Sequence, residues 1–161
     1  MKRIIVFVVF CLLSCKSVDH QPTLISINFK CLNDDIVRVF YTDQDNQAFT
    51  TKNMLSKTIK GKNEFQNLTF EISKQSRLNS FRIDLGENQV ESKVYVKEIV
   101  IKYGNKELSM SKEKLARFFK ENIYVTTKDY FEFERKKVGD RYDPFLKSTA
   151  LLEQHMYLKF R

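Results

Sequence analysis

The two stretches FRIDLG, at residues 81–86, and VYVKEIVIKY, at residues 94–103, decide the fold of this chain. Apolar and polar residues alternate strictly from Phe81 to Leu85, which is the period-two pattern of a strand with one face in the core. The second stretch is rich in β-branched residues, which favour a pleated surface. We therefore predict a β-hairpin or a pair of neighbouring core strands, with the rest of the chain packed around them.

The alternation in the second stretch changes phase once. Val94 and Val96 share one parity, whereas Ile99 and Ile101 share the other. Because a slip of one residue moves every following side chain to the opposite face, we predict a β-bulge near Lys97-Glu98.

Further strands are predicted at spacings of roughly eight to twelve residues, for a total of about eight. They cover residues 23–32, 36–42, 55–59, 64–72, 123–127 and 130–135. The tail, residues 149–160, is predicted as a final strand or as a helix turn followed by a strand, and the strand is favoured over residues 156–160. Gly104-Asn105 predicts a turn. One amphipathic helix of about three turns is predicted over residues 111–122, with Leu115, Phe118 and Phe119 on its apolar face. The pattern predicts an all-β, two-sheet antiparallel β-sandwich with one short helix, over residues 23–161.

Composition is consistent with one globular domain. The chain has 161 residues, is 42% hydrophobic and 13% aromatic, and contains only four Gly and two Pro, so it can fill a core. The formal net charge is +8, and its basic residues are spread along the chain. We interpret this charge as a solvated surface beside anionic lipid or glycan and expect no nucleic-acid partner.

The N-terminus carries a targeting signal. A cationic MKR is followed by ten apolar residues, which are too few to span about 30 Å of hydrocarbon, and the run ends in LLSC with Cys15. This order resembles the bacterial lipobox, and the resemblance implies a lipidated Cys15, with residues 1–14 as signal peptide and 15–22 as tether. Lys16, rather than aspartate, implies the outer membrane of the cell envelope. The alternatives are an ordinary secretory signal or an uncleaved anchor.

Two segments resemble a known group of modules. Residues 81–86, with the strand after them, resemble the "hydrophobic-Arg-Ile-Asp" segment of galactose-binding-like jelly-roll modules in bacterial envelope proteins. The segment GDRYDPF, at residues 139–145, resembles the closing segment of similar lipoprotein sandwiches. The resemblance implies a jelly-roll-like sandwich and binding of carbohydrate or another cell-surface glycan.

No motif in the chain indicates catalysis. Of the two histidines, His20 lies in the tether and His155 stands without a recognisable nucleophile pattern. Metal-ligand spacing of Cys or His, a glycosidase carboxylate pair and a phosphate-binding glycine loop are also missing from the sequence. The acidic segment that begins at Asp43 departs from a calcium loop at its glycine and late carboxylate positions, so we predict a simple loop. We expect no enzyme activity, no metal and no cofactor.

Four residues are candidates for ligand contact. Arg82 and Asp84 project from the polar face of the predicted strand, and Tyr142 and Asp143 lie in the GDRYDPF segment. Tyrosine can stack on a sugar ring while carboxylates and guanidinium groups hydrogen-bond hydroxyls. The alternatives are a cross-strand ion pair of Arg82 and Asp84 with Lys97 or Glu98, and a Tyr142 that packs into the core.

These features predict a lipid-anchored, non-catalytic envelope protein that binds a glycan or another envelope ligand. The competing hypotheses are a structural or assembly subunit that docks to an envelope protein, and an inhibitor or immunity-type lipoprotein. An exposed apolar patch or an open edge strand would favour a protein partner.

Overall fold

The computed structural model describes residues 21–73, 77–90 and 93–161. These residues form eleven strands, two α-helices and one 3-10 turn, Thr51–Asn53. The strands are β1 (Thr23–Lys30), β2 (Asp35–Thr42), β3 (Met54–Ile59), β4 (Gln66–Ile72), β5 (Ser80–Asp84), β6 (Lys93–Tyr103), β7 (Lys106–Met110), β8 (Phe119–Glu121), β9 (Val125–Thr127), β10 (Glu132–Arg135) and β11 (Phe145–Ser148). The helices are α1 (Lys112–Phe118) and α2 (Ala150–Lys159).

The strands form two antiparallel sheets. The first has the order β4-β1-β6-β10-β9, with β7 beside the second half of β6, and the second has the order β3-β2-β5-β11-β8. The chain crosses repeatedly from one sheet to the other. The predicted all-β, two-sheet antiparallel sandwich is confirmed.

The core lies between the inner faces of the two sheets. Alternate residues of β1, Ile25, Ile27 and Phe29, are fully buried, and Phe81 and Ile83 of β5 face them from the second sheet. The same alternation continues in β6 and β10, so the polar residues between these positions point outward. Burial of this apolar surface is the main stabilising contribution to the sandwich.

The predicted pairing of the two opening stretches is wrong. β5 pairs with β2 and β11 in the second sheet, whereas β6 pairs with β1 in the first. Both strands have an apolar inner face, but they meet face to face across the core and share no backbone hydrogen bonds. Periodicity specifies which face of a strand is buried and leaves its partner open.

The predicted bulge and turn are confirmed. Asn28 of β1 pairs with Glu98, and the next residue, Phe29, pairs with Val96, so Lys97 is the extra residue of β6. Gly104 has a φ of +57° in the tight turn that joins β6 to β7. A left-handed conformation of this kind favours glycine.

The predicted helix and the predicted strand in the tail both differ from the structure. The helix predicted over residues 111–122 ends at Phe118, after about two turns, and Phe119 begins β8, where it pairs with Ser148. The tail, predicted as a strand over residues 156–160, forms the end of α2 up to Lys159, with Phe160 as its C-cap. At the start of α2, the hydroxyl of Thr149 accepts a hydrogen bond from the Leu152 amide at 3.4 Å, which caps the first turn.

The sandwich has two ends that differ in character. At the N-terminal end, Thr23 pairs with Tyr103, and Gln21 lies beside the turn at Gly104. At the distal end, β1 finishes with Lys30 and β2 returns from Asp35. The eight residues of β1 separate the two ends by about 25 Å.

α2 crosses the N-terminal end between the sheets. It starts directly after Ser148, the last residue of β11 in the second sheet. It finishes where the Phe160 ring packs against Tyr103 of the first sheet, with ring centroids 6.3 Å apart. Leu152 and Met156 on its inner side close the core.

The predicted signal peptide, residues 1–14, the lipidated Cys15 and the tether up to residue 20 lie outside the described residues. Within the ranges given above, no helix is long and apolar enough to cross a membrane.

Candidate functional site

A buried ion pair organises the distal end of the sandwich. Arg135 Nη1 donates to Asp35 Oδ2 at 2.7 Å, and the two side chains are 0% and 1% exposed. The same nitrogen donates to the Leu85 carbonyl at 2.9 Å. Since Arg135 comes from the first sheet and Asp35 from the second, the pair ties the two sheets together beneath the segment that follows β5.

Asp35 also fixes the backbone of that segment. Its Oδ1 accepts hydrogen bonds from the amides of Glu87 at 2.6 Å and Asn88 at 3.0 Å. Gly86 lies directly over the ion pair with a φ of +120°. A Cβ at this position would lie 2.5 Å from Cγ of Asp35 and closer still to Nη1 of Arg135. Only glycine fits here, because backbone conformation and space both exclude a side chain.

A polar cleft of about 320 Å³ opens at this end of the molecule. It lies between the segment after β5 and the segment before β11. The residues that line it are Arg38, Asp84, Gly86, Glu87, Gln89, Tyr142, Asp143 and Pro144. Asp84, Tyr142 and Asp143, three of the four residues predicted for ligand contact, are therefore brought together.

Arg82 lies behind the cleft and positions two of its carboxylates. Its Nε and Nη2 contact the Asp84 carboxylate at 2.9 and 3.0 Å, and Nη2 contacts Asp143 Oδ1 at 3.2 Å. The guanidinium is held between the rings of Phe40 and Phe145, whose centroids lie 4.7 and 4.3 Å from Cζ. Arg82 is thus fixed by stacking as well as by charge.

The alternative ion pair with Lys97 or Glu98 is wrong. Both residues belong to β6 in the first sheet, where Glu98 accepts a hydrogen bond from the Ser109 hydroxyl. Arg82 instead pairs within its own strand and with the segment before β11. The polar residues of β5 therefore serve the cleft end of the second sheet.

Asp84 is electrostatically unusual. Its carboxylate is largely buried, and this desolvation raises its pKa from 3.8 to about 6, although Arg82 opposes the shift. The neighbouring Asp143 carboxylate adds to the rise. The cleft therefore contains one carboxyl group that changes its charge near neutral pH.

Tyr142 lines the cleft instead of packing into the core. Its hydroxyl donates to the Asn88 carbonyl at 3.0 Å, so the side chain joins the two walls. The adjacent Asp143 side chain is 48% exposed. The Asn122 amide donates to the backbone carbonyl of Asp143 at 2.6 Å and holds this segment in place.

Arg38, Glu87 and Gln89 also line the cleft and were not predicted from the sequence. Arg38 forms an ion pair with Glu87 across the cleft, and it was the one charged residue in the otherwise apolar stretch 36–42, which is a usable signal. Glu87 and Gln89 carry no comparable local pattern, because their place in the cleft follows from where two distant segments meet.

The remaining candidates have structural roles. Asp43 Oδ1 accepts from the amides of Asp45 and Asn46, which is a loop turn. Cys31 is fully buried in the core, where a cysteine packs as a small apolar residue. The His155 ring packs against Phe118 at 5.4 Å, at the end opposite the cleft. Among residues 21–73, 77–90 and 93–161, no group of three possible metal ligands occurs.

A second surface feature lies on the outer face of the first sheet. The centroid of the Phe131 ring lies 5.8 Å from that of Phe65 and 5.9 Å from that of Tyr95. The Lys30 and Lys112 ammonium groups lie over these rings, 4.2 to 5.6 Å from the centroids. Lysine stems of this kind cover aromatic surface and keep the charge in water. We interpret this cluster as packing of the sheet surface.

The fold and the site together define a two-sheet β-sandwich with a polar cleft at one end. Comparison of the chain with protein-family models, curated proteins and solved structures found no match.

Proposed function

We propose that this chain is a lipid-anchored envelope protein that binds a glycan, or another ligand rich in hydroxyl groups, in the distal cleft and does not catalyse a reaction. The observation that carries the proposal is the convergence of Asp84, Tyr142 and Asp143 on one cleft of about 320 Å³. A volume of this size suits one or two sugar rings or a small ligand.

The charge arrangement of the cleft favours a neutral polar ligand. Arg38 is already paired with Glu87, and Arg82 with Asp84. A strongly anionic ligand would have to displace Glu87 from Arg38 and would meet Asp143 as well. Hydroxyl groups, in contrast, can donate to the carboxylates without breaking these pairs.

The site is also rigid before any ligand arrives. The buried Asp35–Arg135 pair holds one wall through Glu87 and Asn88, and Asn122 holds the other wall at Asp143. A preformed site avoids the entropic cost of ordering loops on binding. This arrangement supports ligand binding at modest affinity by a small number of directed hydrogen bonds.

Absence of catalysis is proposed from the chemistry of the cleft residues. His155 lies at the other end of the sandwich, and the cleft side chains include no nucleophile paired with a base. The carboxylates Asp84 and Asp143 are both tied to Arg82, which positions them as hydrogen-bond acceptors for a ligand.

Anchoring through Cys15 is proposed from the lipobox resemblance. Two or more acyl chains hold a protein stably on a bilayer, whereas one is marginal. The described chain begins at Gln21 on the N-terminal end, so an anchor there would leave the cleft on the far side of the sandwich. An outward-facing cleft can meet ligands that approach the membrane surface.

A glycan array tests the proposal directly. The full chain, purified in mild detergent, is applied beside the variants Asp143→Asn and Gln89→Ala, which change exposed cleft side chains, and beside Glu71→Gln on the outer face of β4. Loss of a charged hydrogen bond costs about 1.5–3 kcal/mol, so Asp143→Asn should weaken binding roughly tenfold or more. Glu71→Gln should bind like the wild type.

Two results would count against the proposal. If no glycan is bound, the ligand class is wrong. If binding is found but the cleft variants bind as well as Glu71→Gln does, the ligand uses another surface.

The second candidate function is an assembly subunit that docks to an envelope protein. The observation that favours it is the row of exposed apolar residues on α2, Leu151, Tyr157 and Leu158. A pull-down with and without substitutions in α2 would separate it from ligand binding, since the cleft lies at the other end.

A further inference from the structure

α2 is apolar on two sides. Leu152 and Met156 close the core, while Leu151, Tyr157 and Leu158 on the outer side are 44%, 45% and 63% exposed. Residues 151, 154 and 158 follow one another along the helix surface at spacings of three and four. Residues 151, 154, 157 and 158 are called the outer face of α2 below. Gln154 is polar, but the other three positions are apolar, whereas a helix that serves only to close the core would place polar residues at all four.

The surroundings of the outer face are basic. Arg77 and Arg161 stack on the Tyr157 ring at 4.9 and 4.2 Å. Lys106 donates to the terminal carbonyl of Arg161, and Lys159 is exposed on the last turn of the helix. The acidic residue of α2, Glu153, is partly buried, and its carboxylate accepts a hydrogen bond from the Ser148 hydroxyl at 3.3 Å. Exposed leucine and tyrosine with a basic border are the features of a helix that lies at a lipid headgroup layer.

The position of the outer face fits such a layer. Gln21 contacts the turn at Gly104, next to Tyr103, and Phe160 at the end of α2 packs on that same Tyr103. Six peptide steps separate Gln21 from Cys15, which span at most about 21 Å. This step rests on the proposed acylation of Cys15, because the acyl chains would then hold α2 within reach of the headgroups.

We propose that the outer face of α2 docks on the surface of an anionic bilayer and orients the sandwich with its cleft pointing away from the lipid. Leu151 and Leu158 enter the boundary between headgroups and acyl chains, Tyr157 lies at headgroup level, and the arginines and lysines contact lipid phosphates. The docking adds to the lipid anchor a fixed orientation, which an anchor on a short polar tether does not provide by itself.

The test is site-specific fluorescence quenching on the full, acylated chain in vesicles of phosphatidylcholine with phosphatidylglycerol. Leu158→Cys is labelled with a small fluorophore, and Val90→Cys, an 89% exposed site after β5, is the matched control. Cys31 is fully buried, and unsubstituted protein taken through the same labelling supplies the background. Quenching is measured with spin-labelled phosphatidylcholine in the bilayer and with acrylamide in the water.

The label at position 158 is expected to be quenched by the spin-labelled lipid and to lose acrylamide quenching about fivefold relative to position 90, because an interfacial helix buries its apolar face roughly 5–10 Å into the boundary. In pure phosphatidylcholine the lipid quenching at position 158 should fall, since the basic border then has no anionic partner. Equal quenching patterns at positions 158 and 90 would overturn the docking.

Other occupants give different results. A label at position 158 that is shielded from acrylamide but not quenched by the lipid would indicate a protein partner or a second copy and would overturn the proposal. Flotation with the vesicles is scored separately. Protein that floats without lipid quenching at position 158 refutes the docking and leaves the anchor standing, whereas protein that does not float refutes both.

Discussion

Replacement of Arg135 by methionine tests how the distal end is held together. Arg135→Met replaces the guanidinium by a shorter, unbranched apolar side chain and removes the partner of Asp35, whose side chain is 1% exposed. Breaking a buried ion pair by removal of one member costs about 3–5 kcal/mol, because the other charge stays buried without compensation. Asp35 retains its hydrogen bonds from the amides of Glu87 and Asn88, so we expect about 3–4 kcal/mol.

The expected loss is a large fraction of the free energy of unfolding of the whole domain. A single domain is stable by about 5–15 kcal/mol. With a urea m-value of about 2 kcal/mol per molar, the unfolding midpoint of Arg135→Met should fall by roughly 1.5–2 M. The midpoint is read from far-ultraviolet circular dichroism of the detergent-solubilised protein, with the m-value compared between variants to check that the transition stays two-state.

The matched control is Lys102→Met, which breaks the ion pair of Lys102 with Glu107 between β6 and β7. The Lys102 and Glu107 side chains are 51% and 48% exposed, and Lys102 Nζ lies 2.9 Å from Glu107 Oε2. An exposed ion pair of this kind contributes about 0–1 kcal/mol to stability. Its midpoint should move by less than about 0.5 M. A second variant, Arg135→Met with Asp35→Asn, should recover part of the loss, because the amide removes the uncompensated charge and keeps an oxygen acceptor.

Equal midpoints for Arg135→Met and Lys102→Met would refute the reasoning, since burial would then make no difference to the value of the pair. A double variant no more stable than Arg135→Met would show that the cost comes from lost packing and not from the buried charge of Asp35.

Three further outcomes are expected. Gly86→Ala should lower the unfolding midpoint substantially, because a Cβ there meets Asp35 and Arg135 and the φ of +120° strains an L residue; an unchanged midpoint would contradict this. The Asp84 carboxyl should titrate near pH 6 by NMR, because burial raises its pKa in the folded protein from 3.8 to about 6. Its contribution to stability is therefore present below about pH 4 and is lost as the pH rises through about 6. Asp84→Asn should remove that part of the pH dependence, and a resonance that titrates near pH 4 would contradict the shift. Cys15→Ala should release the protein from the membrane fraction, and an unchanged membrane pool would count against the lipid anchor.

Part of the candidate site was predictable because its residues stand out locally. Asp84 follows Arg82 on the polar side of an alternating strand, and Tyr142-Asp143 lies before a proline bend. The prediction did not include how they meet. Arg82 proved to be a positioning residue behind the cleft, held between two phenylalanine rings, and Arg38 and Glu87 entered the site from β2 and from the segment after β5.

What the sequence determined by itself is β1 to β6, β9 and β10, the buried face of most of them, the bulge at Lys97 and the turn at Gly104. These features depend on side-chain periodicity and on backbone conformations open mainly to glycine, which are local properties. β7, β8 and β11 were not predicted as strands. The tertiary structure alone decided that β5 and β6 lie in opposite sheets, because backbone hydrogen bonds between strands do not distinguish one partner from another.

The tertiary structure also decided that the tail is a helix. The apolar residues of α2 lie on both of its sides, so the sequence shows neither a clear helical period nor a clear strand period. The helix forms because Leu152 and Met156 fill the open end of the core. One wall of the cleft likewise depends on the Asp35–Arg135 pair, one hundred residues apart in the chain, which links the two sheets beneath Gly86. Contacts of this range have no signature in a single sequence, since their energy depends on which distant groups are desolvated together.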